Sequence, residues 1–196
     1  MRIALIAALL WAPQALPVEI PAKDPGLVYV GRWDSRDAAG PRCAWAGSSV
    51  SAKFQGTGVN AVFKFGGNDQ WQVVIDGQPA SIIVADPAKT IYPAAAGLAD
   101  KEHTLELFKR TEPLVGTTQF LGLQLGKGKL LPPPARPKRR IEIVGDSITC
   151  GYGNESANQN EKFAPGTENN YLAYGAVAAR ALKAEYVAVA WSGKWL

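Results

Sequence analysis

Residues 141–153 read IEIVGDSITCGYG. Ile141, Ile143 and Val144 make an apolar run that stops abruptly at Gly145, and Asp146 and Ser147 follow at once. Gly151 and Gly153 come soon after. This is the pattern of a strand covered on both faces, ending in a tight turn that presents a serine. The chain follows one set of rules before this stretch and another after it.

Upstream, over about residues 27–125, the hydrophobic period is two. Val59, Ala61, Phe63 and Phe65 share one face, with Asn60 and Lys64 opposite. Trp71, Val73 and Ile75 alternate with Gln72, Val74 and Asp76, and Asp76-Gly77 marks a turn into the next strand. EHTLELFKR and TQFLGLQLG alternate again. Short strands, glycine-rich turns and the lack of a helical pattern predict an antiparallel β-sandwich over residues 25–130. LLPPPARPKRR then marks a stiff Pro/basic linker at 131–140, because three consecutive prolines cannot continue a ladder.

Downstream of the linker, the quoted stretch is the first strand. A polar, glycine-rich loop runs from about Thr149 to Asn169. NNYLAYGAVAARALKA is predicted helical, with Asn169 or Asn170 as its cap and Leu172, Ala176, Ala179 and Leu182 near one stripe. EYVAVAWSG is a second apolar strand. Strand, helix, strand is a βαβ unit with parallel pairing, spanning 141–196. Its apolar residues expect more cover than these 56 residues supply (196 − 140 = 56). Leu172, Val177, Leu182, Val187 and Val189 are therefore expected to lack full burial unless they dock on the sandwich.

The chain has 196 residues, is 47% hydrophobic and 19% charged, and carries a net charge of +4, a globular composition. Much of the basic excess sits in the linker, where a solvated segment is expected rather than a nucleic-acid surface, since no recognition helix or RNA-binding signature accompanies it. The opening MRIALIAALLWAPQALP has one Arg and a short apolar run, too short to span a bilayer. Residues 1–15 are read as a signal peptide, which implies a secreted or periplasmic protein with no membrane attachment after its removal. Cys43 and Cys150 fall in different parts of the chain and are expected as two separate buried thiols. Two distant cysteines and one histidine, His103, form no metal-ligand cluster, and no cofactor is expected.

A serine hydroxyl needs a base and donors for the oxyanion it creates. Ser147 sits at the carboxyl end of its strand, where open α/β sheets place ligands. Its own N–H and that of Gly193, in WSGKW at the end of the next strand, are candidate oxyanion donors. The base is the missing piece. His103 lies in a strand pattern of the sandwich and is read as structural. Asp146 adjoins Ser147, and neighbours on an extended chain point apart. Glu155 lies on the following loop and is within possible reach.

Two blocks carry a family resemblance. IEIVGDSITCGYGNE, with FAPGTENNYLAYGAVAARALKAEYVAVAWSGK, resembles the first part of the SGNH hydrolase domain of carbohydrate esterase family 2. VGRWDSRDAAGPRCAWAGSSVSAKFQGTGV and KEHTLELFKRTEPLVGTTQFLGL resemble that family's N-terminal jelly roll. The resemblance spans residues 30–194. It implies a jelly-roll sandwich followed by the first βαβ of an SGNH hydrolase, and removal of acetyl esters from plant polysaccharides such as xylan or glucomannan. It assigns Ser147 as nucleophile, Gly193 as the oxyanion glycine and Asp146 as a structural hydrogen-bonding residue. The family's later asparagine block and its histidine block have no counterpart here, and Trp195 and Leu196 replace the expected continuation of SGK. A C-terminally truncated form, weakly active or inactive, is the expectation. The alternative is a fragment that only binds carbohydrate.

Trp33, Trp45 and Trp71 are expected in the sandwich core rather than as a sugar-stacking platform. Trp191 fits either a substrate-side role or a buried strand. Lys109 and Arg110 are expected at a solvated strand end, with acidic-sugar binding as the alternative.

Overall fold

The computed structural model describes residues 17–194. The proposed signal peptide, Trp195 and Leu196 lie outside the described residues. Thirteen strands and two α-helices follow in chain order. They are β1 (Val18–Pro21), β2 (Val28–Val30), β3 (Arg42–Cys43), β4 (Ser49–Gly56), β5 (Val59–Phe65), β6 (Gln70–Ile75) and β7 (Gln78–Val84). Next come β8 (Ile91–Ala95), β9 (Lys101–Lys109), β10 (Thr118–Leu125), β11 (Gly128–Leu130) and β12 (Arg139–Gly145). The chain ends with α1 (Ser147–Cys150), α2 (Tyr174–Ala181) and β13 (Ala184–Ala190). No helix among the described residues is long and apolar enough to cross a membrane.

Two antiparallel sheets face each other. One runs β1-β10-β5-β8 with β3 beside β10, the other β11-β4-β9-β6-β7 with β2 beside β4. Between them lies one core, to which Phe54, Phe63, Trp71, Leu107 and Phe120 each contribute a fully buried side chain. Phe63 is its hub, with ring centroids 4.9 Å from Trp71 and 5.5 Å from Phe120. The Trp71 indole N–H donates to Thr118 Oγ1 at 3.1 Å, so the core's largest side chain leaves no polar atom stranded. Asp76 and Gly77, at φ +52° and +77°, make the hairpin between β6 and β7, the turn chemistry that two positive φ values demand.

Several expectations need correction. The sandwich begins earlier than residue 25, because β1 pairs with β10 from Val18. Trp33 packs 6.1 Å from Trp71 and against the core, but Trp45 does not enter it; its ring meets Trp191 edge-on at 6.0 Å. The linker is tied down rather than free, with Leu131 N–H donating to the Lys53 carbonyl at 2.8 Å and Arg136 forking Glu185.

β12 and β13 pair in parallel, from Arg139 opposite Ala184 to Gly145 opposite Ala190, with α2 between them in sequence. This unit lies on the outer face of the β9–β6 sheet. Val74 and Phe108 project from that face into a second cluster with Tyr171, Ala176, Ala179, Tyr186 and Ala188. The Phe108 and Tyr186 rings stack with an interplanar angle of 9°. β6 is consequently buried along its whole length instead of alternating.

The helix starts at Tyr174, not at Asn169 or Asn170. Those asparagines lead into a 3₁₀ turn, Asn170–Leu172, and neither caps a helix with its side chain. The Asn170 amide instead donates to the Thr149 carbonyl at 2.7 Å, so a tertiary bond outcompetes the local cap. Of the expected stripe, Ala176 and Ala179 are buried while Leu172 and Leu182 stay exposed. Small residues face the sandwich because only they let the helix approach it closely. Val177 is exposed too, and Val187 and Val189 are only half-buried, so all five residues expected to lack full burial do so.

These two layers predict unequal mutational costs. Trp71→Ala should lower stability by ~3–5 kcal/mol through the cavity it leaves, whereas Leu182→Ser should change it by less than about 0.5 kcal/mol. Urea unfolding of the two variants measures both.

Candidate active site

β12 ends at Gly145, where only glycine fits: a Cβ would lie 2.0 Å from Thr149 Oγ1. The chain then turns into the single helical turn α1. Asp146 caps it, its Oδ1 accepting the Ile148 N–H at 3.0 Å, and the Ser147 N–H at the helix start is left without an intrahelical acceptor. Gly151, at φ +85°, closes the turn. Thr149 Oγ1 and the Tyr174 hydroxyl bond at 2.9 Å, joining α1 to the start of α2. Ser147 is half-buried, at the carboxyl end of β12.

β13 ends at the same register step, with Ala190 opposite Gly145. The Trp191 N–H donates to the Gly145 carbonyl at 3.2 Å, extending the parallel ladder, and Lys194 N–H donates to the Trp191 carbonyl at 3.2 Å, closing a turn over Ser192 and Gly193. Gly193 takes φ +74°, and among the described residues none apart from its chain neighbours lies within 4 Å of where a Cβ would stand. Ser147 and Gly193 therefore follow the carboxyl ends of two adjacent parallel strands. Trp191 is half-buried, against Trp45, with the Lys194 ammonium 5.8 Å from its ring centre.

The other base candidates are committed elsewhere. His103 is buried; its Nδ1 meets Asp76 Oδ2 at 2.7 Å and its Nε2 meets the Ala99 carbonyl at 2.9 Å. These two acceptors, the carbonyl first, hold its pKa above the ordinary imidazole value. The Thr104 N–H and then His103 hold Asp76 below the usual carboxylate range. From His103 to Lys109 the chain is extended strand, ~20 Å long, and only past Lys109 does it approach the ends of β12 and β13. Glu155 is ion-paired with Arg110.

Lys109 and Arg110 are not at a solvated strand end. Lys109, Arg110, Thr111 and Glu112 are all buried: Lys109 inside the sandwich against Asp69, and Arg110 and Glu112 against Glu155, Glu168 and Ser192 of the C-terminal part. Lys109 Nζ pairs with Asp69 Oδ1 at 2.5 Å and donates to the Thr111 carbonyl at 2.8 Å. Glu112 reaches the end of β13: its Oε2 accepts the Ser192 N–H at 2.7 Å, and its Oε1 accepts the Ser192 hydroxyl. Behind it, Glu168 Oε2 accepts the Glu112 N–H at 3.2 Å. Glu112 and Glu168 went unnoticed in the sequence. Nothing in FKRTE distinguishes a buried polar segment from a wet one.

Cys43 and Cys150 are both free, buried thiols. Glu112, Cys150 and Glu168 bring potential ligand atoms within 4.8 Å of one another. Their environment favours a hydrogen-bonded network over a cation site. Burial raises the Cys150 thiol and pushes the Glu168 carboxyl up to about 8, so both are protonated near neutral pH, and both Glu112 oxygens already accept hydrogen bonds.

A family model described as "Carbohydrate esterase 2 N-terminal" matches residues 29–134. The chain belongs to carbohydrate esterase family 2. It is 44% identical over 170 residues to "Cellulase/esterase CelE" of Acetivibrio thermocellus, covering 87% of this chain and 21% of that protein. An "Acetylxylan esterase / glucomannan deacetylase" of Cellvibrio japonicus is 29% identical over 178 residues, 90% of this chain and 49% of that protein. Among solved structures, a family two carbohydrate esterase from Clostridium thermocellum in complex with cellohexaose superposes with a TM-score of 0.83 at 43% identity, over 86% of this chain and 52% of that one. A Cellvibrio japonicus family two esterase gives 0.82 at 29% identity, over 91% and 53%. The chain thus spans about half the length, or less, of the relatives it matches.

The elevated Glu168 carboxyl has a consequence for stability. The unfolded side chain loses its proton near 4.5, the folded one near about 8. The folded state holds the proton longer, so stability falls as pH rises through that window. Glu168→Gln keeps an oxygen for the Glu112 N–H and removes the titration. Urea midpoints at pH 5, 6.5 and 8 should fall less steeply in Glu168→Gln than in the parent chain.

Proposed function

We propose that this chain carries the nucleophile half of a polysaccharide O-deacetylase, built as a jelly-roll sandwich followed by the opening βαβ of an SGNH hydrolase. Ser147 Oγ attacks the carbonyl carbon of an acetyl ester. The N–H groups of Ser147 and Gly193 stabilise the oxyanion of the tetrahedral intermediate, and the sugar oxygen leaves with a proton. Water then frees acetate from the acyl-serine. Asp146 serves by capping α1 and so holding Ser147 at its turn. The observation that carries this is the parallel register of Gly145 with Ala190, which brings the serine and the glycine to one end of the sheet.

General-base help is worth ~10²–10⁴-fold, and His103, this chain's one histidine, cannot supply it from its pairing with Asp76. The substrate class is acetylated plant polysaccharide, xylan or glucomannan, by analogy with the Cellvibrio relatives. Polymers of that size are met outside the cell, in keeping with a secreted or periplasmic protein.

A second role is supported by the relative solved with cellohexaose. We propose that the chain also binds β-1,4-linked glucan chains without cleaving them. Retardation in gels containing hydroxyethylcellulose, a β-1,4-glucan without acetyl groups, tests this separately from catalysis.

The catalytic test uses two proteins. The chain alone should release nitrophenol from 4-nitrophenyl acetate at close to the blank rate. Joined to the remainder of the CelE esterase domain, it should release acetate from acetylated xylan, and Ser147→Ala should abolish that release. Release that survives Ser147→Ala would overturn the assignment.

A further inference from the structure

We propose that Glu112, a residue of the sandwich, is the positioning residue for the turn that carries Gly193. The proposal deepens the assignment of Gly193 as an oxyanion donor and rests on it. Among the described residues, none apart from its chain neighbours lies within 4 Å of the Gly193 Cβ position. Core contacts therefore do not set the direction of its N–H. That N–H belongs to the Ser192–Gly193 peptide, whose plane follows from the torsions of Ser192. Glu112 grips Ser192 at two points, accepting its N–H at Oε2 and its hydroxyl at Oε1. Two bonds to one carboxylate fix the backbone and the side chain of Ser192 together, and hydrogen bonds to a charged acceptor are the strong, directional kind.

The same carboxylate reaches the other half of the site. The Cys150 thiol, at the end of α1, points to Oε2 at 3.8 Å. One buried group thus touches both the helical turn that begins with Ser147 and the turn that ends β13. Glu112 is itself held, by its N–H on Glu168 and by the Val115 N–H donating to its carbonyl at 3.1 Å. Its side chain is 1% exposed, so water does not compete for these bonds.

The experiment is amide hydrogen exchange by NMR on the ¹⁵N-labelled 196-residue chain. In Glu112→Ala, exchange at Ser192 should accelerate by at least about tenfold, as expected when a net bond of ~1.5–3 kcal/mol to a charged acceptor is lost. The Gly193 and Lys194 resonances should shift or broaden, while the amides of β4 and β5 keep their protection. Glu112→Gln should restore most of the Ser192 protection, because its amide oxygen still accepts the N–H and its NH₂ can donate to the hydroxyl. Glu112→Met, which keeps the volume but offers no oxygen acceptor, should leave Ser192 as unprotected as Glu112→Ala does, whereas it would repair a loss of packing alone. Should Glu112→Ala fail to fold, Glu112→Asp keeps the charge but withdraws it by one methylene, and the same acceleration is expected. Unchanged Ser192 and Gly193 amides in the folded variant would overturn the proposal. This readout needs no turnover, so it fails or succeeds independently of acetate release by the fusion protein.

Discussion

The outer face of β6 and β9 must be covered, and the rest of the molecule follows from that. Val74 and Phe108 point away from the sandwich core, yet are 3% and 4% exposed, because Tyr171, Ala176 and Tyr186 lie on them. The dependence is mutual. A parallel pair of strands with one helix cannot bury enough surface to stand alone, and each large side chain it shelters on the sandwich is worth ~1.5–3 kcal/mol. Hydrophobic contact is non-directional, however, and would tolerate sliding. The polar groups at the same seam do not. Arg110 pairs with Glu155 and Glu112 with Ser192 from one side of the seam to the other, and Arg136 reaches Glu185 from the linker onto β13.

Such pairs are weak evidence for stability, since desolvating the ions costs about what their attraction returns. Their effect is on geometry. Lys109 and Asp69 show the same economy inside the sandwich: both are fully buried, and Thr111 and Thr118 use the remaining hydrogen-bonding capacity. Removing one member would leave a charge buried alone, so the network holds or fails as a unit.

Much of this was legible in the sequence, for identifiable reasons. β5 could be read because one of its faces is core and the other is wet, which gives a period of two. β6 was read with the right inward face, but not as buried on both, because cover over Val74 comes from residues about a hundred positions away. The positions of Ser147 and Gly193 at the strand ends were legible, since an apolar run ending in glycine marks a strand's exit into a turn. The asparagine caps were not. Local propensity favoured them, and the Asn170 bond to Thr149 overrode it. The buried state of Lys109, Arg110 and Glu112 was likewise hidden. Four consecutive polar residues look solvated until the partner that buries them is in place.

The site inherits this arrangement. Acyl transfer requires nucleophile and oxyanion donors to be fixed to fractions of an ångström, a demand that loops meet only with support behind them. Ser147 stands on one helical turn and Gly193 on a short turn after β13, both of which are low-stability elements by themselves. Asp146 and the Thr149–Tyr174 bond stiffen the first from within the β12–α2–β13 unit. For the second, the grip comes from the sandwich. The sandwich is then more than a neighbour of this unit, because the carboxylate that meets Ser192 belongs to it. Separating the two parts would remove cover from Val74 and Phe108 and release that turn in the same event.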